Sequence, residues 1–119
     1  MIAPKIANHQ AREYVRDMKS FTGSNMFAHW VIGRDKGLRY VVYSYGKHWP
    51  MFIYDRPTNR WYENFSKFSR TTSKHRSQAN PLLDPVIFPT TFLHVEDMIK
   101  LASDGITALI APLEEVHTV

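Results

Sequence analysis

Four short stretches rich in β-forming residues occupy the middle of this 119-residue chain. They cover residues 26–32, 38–45, 49–54 and 60–65. Short clusters of Gly, Asn, Asp, Pro and basic residues separate them, and tight turns between consecutive strands favour antiparallel pairing. Bulky side chains on both faces of residues 38–45 mark a central strand. The pattern therefore predicts an antiparallel β-meander of about four strands.

Two amphipathic segments flank this meander. Residues 10–20 carry an apolar stripe at three- and four-residue spacing, with Asn8 as the expected N-cap. Residues 94–104 carry a second stripe, with His94 or Thr91 at the start and Gly105 as the expected C-cap. We therefore expect an α+β fold in which both helices pack on one face of the sheet.

The segment between the last strand and the second helix has a weaker pattern. Thr71 or Thr72 is able to cap a short helix that extends to about Gln78 and stops before Pro81. Residues 80–91 contain three prolines and predict an extended connector, anchored by the apolar run at residues 86–88. The chain length fits a single domain, and residues 1–8 and 112–119 are expected to fray.

Charge is distributed unevenly along the chain. Residues 1–80 hold 14 Lys and Arg against 5 acids, a net charge of +9, whereas residues 81–119 hold one Lys against 6 acids, a net charge of −5. The basic part favours an anionic partner, of which nucleic acid is the commonest. Alternatively, the acidic part neutralises the basic part within the fold.

Several classes of site are excluded. The chain has no cysteine, which rules out disulfides and thiolate chemistry and favours a cytoplasmic location. No apolar run approaches the ~18 residues that a membrane span needs. The six histidines are scattered, and nucleotide-binding and serine-hydrolase motifs are missing, so we predict no metal site and no cofactor.

A basic, hydroxyl-rich run, residues 66–77, follows the meander. If it packs against the hairpin turn at residues 46–48, cations and hydroxyls converge in an arrangement that suits phosphate. The residues predicted to bind the ligand are Lys47, His48, Arg70, Thr71, Thr72, Ser73, Lys74, His75 and Arg76. The Ser69 hydroxyl is expected to join them, and exposed aromatic residues of the hairpin are expected to stack on unpaired bases. The competing interpretation is structural: the threonines cap a helix, the tyrosines belong to the core, and the cations are solvated, as are Arg12, Arg16 and Lys19 on the first helix.

The same residues allow a metal-independent RNase. One imidazole of His48 and His75 acts as the base and the other as the acid, while Lys74 stabilises the charge on phosphorus. No spacing rule singles out this pair.

The stretch Tyr40-Val41-Val42-Tyr43-Ser44-Tyr45-Gly46-Lys47-His48-Trp49-Pro50, together with Trp61, Asn64 and the Thr71-Thr72-Ser73-Lys74-His75 segment, resembles a family of short tailed-bacteriophage proteins. The resemblance extends over about residues 21–105. It implies a setting, the infected bacterial cell, and no particular chemistry.

Three functional hypotheses follow, in this order. The first is a small, basic, non-enzymatic protein that binds DNA or RNA. The second is a protein–protein interaction module that inhibits or redirects a host or defence complex, with the aromatic hairpin as its contact surface. The third is the small RNase. We expect no membrane partner, and the sequence leaves the oligomeric state open.

Overall fold

The computed structural model describes residues 3–67 and 70–105. Within these residues, the protein is an α+β fold with one six-stranded mixed sheet, in the order β1-β2-β3-β4-β5-β6, and three α-helices. The elements are α1 (Ala11–Arg16, preceded by a 3₁₀ turn at Asn8–Gln10), β1 (Phe21–Thr22), β2 (Met26–Ile32), β3 (Leu38–Ser44), β4 (Pro50–Asp55), β5 (Arg60–Asn64), α2 (Arg70–Ala79), β6 (Thr90–Leu93) and α3 (Val95–Asp104).

The predicted meander is confirmed as β2 to β5, in which each strand pairs antiparallel with the next. The central strand β3 is buried from Arg39 to Ser44 because both of its faces are covered. Pro50 is the first residue of β4, where its missing N–H costs no ladder bond. The register of β3 against β4 shifts between Val42 and Tyr43, next to this proline.

The prediction of about four strands missed two edge strands. The first, β1, has only two residues and pairs antiparallel with β2. The last, β6, pairs parallel with β5 after a crossover through α2, and parallel pairing over such a distance leaves no local sequence signal. The expected anchor in the connector is also wrong, because Val86, Ile87 and Phe88 are 88%, 67% and 46% exposed.

The helices lie on both faces of the sheet, which corrects the prediction that they share one face. One face, the α2 face, is covered by α1 and α2 and carries the larger core, including Val15, Tyr40 and Trp61. The other, the α3 face, is covered by α3, whose Met98 and Leu101 pack on β3, β4 and β5. Strand residues alternate between these two cores, as the pleat of a sheet requires.

Of residues 1–8, which we expected to fray, the first two lie outside the described residues and residues 3–8 are bonded to the edge of the sheet. Pro4 O accepts a hydrogen bond from Thr22 N, and Ile6 N donates to Thr22 O, both at 2.9 Å. The Asn8 side chain does not cap α1; instead, it accepts from Ser24 N (2.8 Å) and donates to Ser24 O (3.0 Å). The second segment expected to fray, residues 112–119, lies outside the described residues.

The two ends of α3 are held by contacts distant in sequence. The Ser66 hydroxyl accepts a hydrogen bond from Val95 N at 3.0 Å, which satisfies one amide of the first turn. At the other end, Gly105 has a φ of 94° and lies so close to Asp35 that a Cβ would approach its Oδ2 to 2.2 Å. None of the described helices is long and apolar enough to cross a membrane.

Beside Gly105, an ion network centred on the buried Arg39 lies at the end of the sheet. Arg39, fully buried, donates from Nε to Asp55 Oδ1 at 2.6 Å and from both terminal nitrogens to Asp35, at 2.8 and 2.6 Å. These bonds from Arg39 are the main reason that the pKa of Asp35 is lowered to about 2. The network has a structural role, because it ties β3 and β4 to the turn on which α3 ends.

Candidate nucleic-acid interface

Helix α2 forms without a conventional apolar stripe. Its buried residues are Thr72, His75 and Ala79, spaced three and four apart, so that one face of the helix meets the sheet through a hydroxyl, an imidazole and a methyl group. A stripe of this composition has almost no hydropathy signal, which explains why the sequence gives only a weak helix prediction here.

Polar contacts hold this face of α2 against β3. Ser44 Oγ lies 2.7 Å from His75 Nδ1 and 3.3 Å from Thr72 Oγ1, and all three residues are buried. The Tyr45 ring packs against the imidazole at a centroid distance of 5.6 Å. Burial, and to a lesser extent the neighbouring charge of Lys74, lowers the pKa of His75. Thr72 and His75, both predicted to bind the ligand, therefore anchor the helix.

Two arginines of α1 bond to the end of α2 and to the connector that follows it. Arg12 donates to Ser77 O and Asn80 O, both at 2.8 Å, and Arg16 donates to Pro81 O at 2.7 Å. Guanidinium groups at the carbonyl end of a helix satisfy its last acceptors and complement its dipole. Arg12 and Arg16 are thus structural, whereas we expected them to lie on a solvated face.

Arg76 is also engaged with the sheet. Its Nη2 donates to Glu63 Oε2 on β5 at 2.6 Å, and the two side chains are only 29% and 13% exposed. The pair neutralises a carboxylate that would otherwise face α2.

The remaining predicted residues of α2 face solvent together. Arg70, Thr71, Ser73 and Lys74 are exposed, as is Ser77 one turn further along. We call these five residues the α2 outer face. It carries two cations and three hydroxyls, and the whole helix contains no acidic residue. Ser69 lies outside the described residues.

The hairpin turn does not bring all of its predicted residues to this surface. Lys47 lines a groove of about 520 Å³ on the α3 face, together with Tyr43 of β3 and Ile99 of α3. Its charge is the second cause, after burial, of the lowered pKa of His29. His48 is exposed in the turn itself. The structure therefore places Lys47 on the opposite side of the sheet from α2, and the predicted convergence with the basic run does not include it.

Most aromatic residues of the hairpin are buried, as the structural interpretation expected. Tyr40 and Tyr43 are 0% and 4% exposed, and Trp49 is 9% exposed. Tyr45, which is 46% exposed beside His75, is the hairpin ring best placed for contact with a ligand near α2.

Two adjoining cavities next to α2 were not anticipated from the sequence. The first, about 280 Å³, is largely apolar and lies between β4, β5, β6 and residues 80–85. The second, about 250 Å³, is polar and includes Ser73, Arg76 and Ser77. Glu63 and Asn80 line both cavities. Since β4, β5, α2, residues 80–85 and β6 all contribute to their walls, no local motif marks them.

No cluster of three or more His, Cys, Asp or Glu side chains suited to a metal ion occurs within residues 3–67 and 70–105. No protein-family model, curated protein or solved structure matches the chain, so neither the bacteriophage resemblance nor a function is assigned by similarity.

Proposed function

We propose that the protein binds nucleic acid through the α2 outer face. The main observation is that the side chains of α2 have different roles on its two faces. Uncharged side chains pack the helix against the sheet, and Arg76 pairs with Glu63. Arg70 and Lys74 therefore project outward beside three hydroxyls. Cations supply attraction to phosphate, and hydroxyls add directed hydrogen bonds to phosphate oxygens.

The charge distribution supports this proposal. Among the residues that the structure describes, one ion pair, Arg34 with Asp104 at 3.5 Å, joins the basic body to the acidic stretch after residue 80. Moreover, α3, which holds three of those acids, lies on the face opposite α2. Internal neutralisation, the alternative explanation of the charge asymmetry, therefore leaves the α2 outer face basic.

The test is a titration of labelled single-stranded and duplex DNA and RNA, followed by fluorescence anisotropy. We expect the Arg70→Glu/Lys74→Glu variant to lose at least about tenfold in affinity and to reduce the slope of log K against log salt by ~2. The matched control, Arg56→Glu/Lys100→Glu, makes the same change in net charge at exposed positions elsewhere. Equal losses in the two variants would indicate a net-charge effect and contradict the assignment to α2.

A specific observation favours a protein-binding function as the second candidate. Val86, Ile87 and Phe88 project into solvent, and Phe92 on the edge strand β6 is 57% exposed. Contiguous exposed apolar residues beside an open strand edge are typical of protein contact sites. The contact surface of this candidate is thus the connector and not the aromatic hairpin that we expected.

A pull-down from bacterial lysate, with and without nuclease, separates the two candidates. Binding through α2 predicts that captured proteins disappear after nuclease treatment. Capture that survives nuclease and is lost in Val86→Asp/Ile87→Asp supports the second candidate.

The RNase hypothesis loses support from the placement of His75. This imidazole is 3% exposed and lies 2.7 Å from the Ser44 hydroxyl, so it is not positioned to exchange a proton with an external phosphodiester. We therefore propose a non-enzymatic function.

A further inference from the structure

The apolar cavity beside α2 has the dimensions and lining of a site for a flat ring. Its volume of about 280 Å³ is just below the usual range for drug-sized ligands. Three aromatic residues line it: Trp61 and Phe52 are buried in the core, whereas Phe92 is more than half exposed. An aromatic wall of this kind suits stacking against a base, because every base has a π-face.

The apolar cavity borders the polar cavity beside α2. Glu63 and Asn80 line both the apolar cavity and the adjoining polar one, so the two spaces share a border. Carboxylates accept hydrogen bonds from the amino groups of bases, and carboxamides both donate and accept. On the far side of this border, Ser73 and Ser77 belong to the α2 outer face.

We propose that this cavity receives one unpaired base of a single-stranded nucleic acid, whose phosphates follow the α2 outer face. This inference rests on the proposed function and adds its substrate class. The base enters between Phe92 and residues 80–85 and meets Glu63 and Asn80 with its polar edge. The adjacent phosphate lies near Ser73 and Ser77. A base inside a duplex is stacked and paired, so it reaches such a cavity only after extrusion from the helix.

The experiment uses three probes of equal length, about 12 nucleotides. They are a single-stranded oligonucleotide, the corresponding duplex, and an abasic oligomer with the same phosphate backbone. Anisotropy titrations with the full chain compare their affinities at one salt concentration. We expect the single strand to bind about tenfold or more tightly than the abasic oligomer, a ratio in the range that one stacked base supplies.

Two variants test the cavity itself. Thr90→Tyr places a ring in the cavity from a partly exposed position on β6, and its control, Thr91→Tyr, places the same ring at the adjacent exposed position, which does not line the cavity. Phe92→Ala removes the exposed aromatic wall without cutting into the buried core, and Phe88→Ala is its control. Thermal melts establish that each variant is folded. If Thr90→Tyr does not fold, the comparison of Phe92→Ala with Phe88→Ala still decides the test.

We expect Thr90→Tyr and Phe92→Ala to lower single-strand affinity to the abasic level and to leave duplex affinity unchanged. Equal affinity for the single strand and the abasic oligomer, or single-strand binding that both cavity variants leave intact, would overturn the inference while leaving the proposed function standing. Absence of binding to every probe would overturn both.

Discussion

Ser44 Oγ on β3 and Nδ1 of His75 on α2 lie 2.7 Å apart in the core between the central strand and the helix. Both residues are at most 3% exposed. This contact, with the Thr72 hydroxyl beside it, determines which side of α2 faces the sheet and therefore which cations and hydroxyls face solvent. Because burial lowers the pKa of His75, we expect the anchoring of α2 to depend on pH.

Stability should decrease as the pH falls below about 6.5. Burial lowers the pKa of both His75 and His29 from the ordinary value of 6.5, with Lys74 and Lys47, respectively, as the smaller cause. The unfolded chain therefore takes up protons at a pH where the folded chain does not, so the contribution of these two histidines to the free energy of unfolding is fully present above pH 6.5 and is lost as the pH falls toward the lowered pKa values. Urea unfolding at about pH 7.5 and pH 5.5 measures the difference.

The control for this prediction compares the replacement of the two histidines with lowered pKa values with the replacement of an exposed histidine. His75→Gln/His29→Gln should show a smaller difference in stability between the two pH values than the unmodified protein. His48→Gln, at an exposed position, should retain the full difference. A double variant with an undiminished pH dependence would assign the effect to other groups.

Replacement of Arg39 should be among the most damaging single changes. Arg39→Met leaves the fully buried Asp55 without its guanidinium partner, and loss of one member of a buried ion pair typically costs about 3–5 kcal/mol. Adding Asp55→Asn removes the orphaned charge and should restore part of the loss. Urea unfolding at neutral pH gives both values, and a cost below about 1 kcal/mol for Arg39→Met would contradict the structural role of the network.

Arg12 should stabilise α2 from outside that helix. Arg12→Ala removes two charge-assisted hydrogen bonds to Ser77 O and Asn80 O, and we expect a loss of about 1–2 kcal/mol because the site is only partly buried. Amide hydrogen exchange should show faster exchange in the last turn of α2. Lys19→Ala, a change at an exposed position just after α1, should cause neither the loss of stability nor the faster exchange.

Gly105 should not tolerate a side chain. Its φ of 94° is unfavourable for other residues, and a Cβ would lie 2.2 Å from Asp35 Oδ2 and 2.8 Å from Arg39 Nη2. Gly105→Ala should therefore cost about 1–3 kcal/mol. Gly46→Ala is the matched comparison, since its Cβ would meet only the movable ring of exposed His48, at 2.9 Å. Thermal melts of the two variants should differ clearly, and equal melting temperatures would contradict this argument.

The predictable part of the fold is local in sequence. The strands β2 to β5 are joined by turns of a few residues, and α3 carries a stripe of apolar side chains, so each is marked within a short window. Both edge strands escaped prediction for a physical reason. β1 is too short to show alternation, and β6 pairs with β5 only after the crossover through α2.

The same distinction between local and distant contacts applies to the candidate site. The sequence by itself determined that residues 70–76 are basic, rich in hydroxyls and free of acids, and that Thr71 or Thr72 stands near a helix start. The tertiary structure decided that Thr72 and His75 anchor the helix, that Arg76 pairs with Glu63, and that Lys47 belongs to the other face of the sheet. It also created the two cavities. Charge and local periodicity are properties of neighbouring residues. Exposure, pairing and cavities depend instead on which distant segments pack against those residues, and such contacts form only when the sheet and both helix layers are assembled.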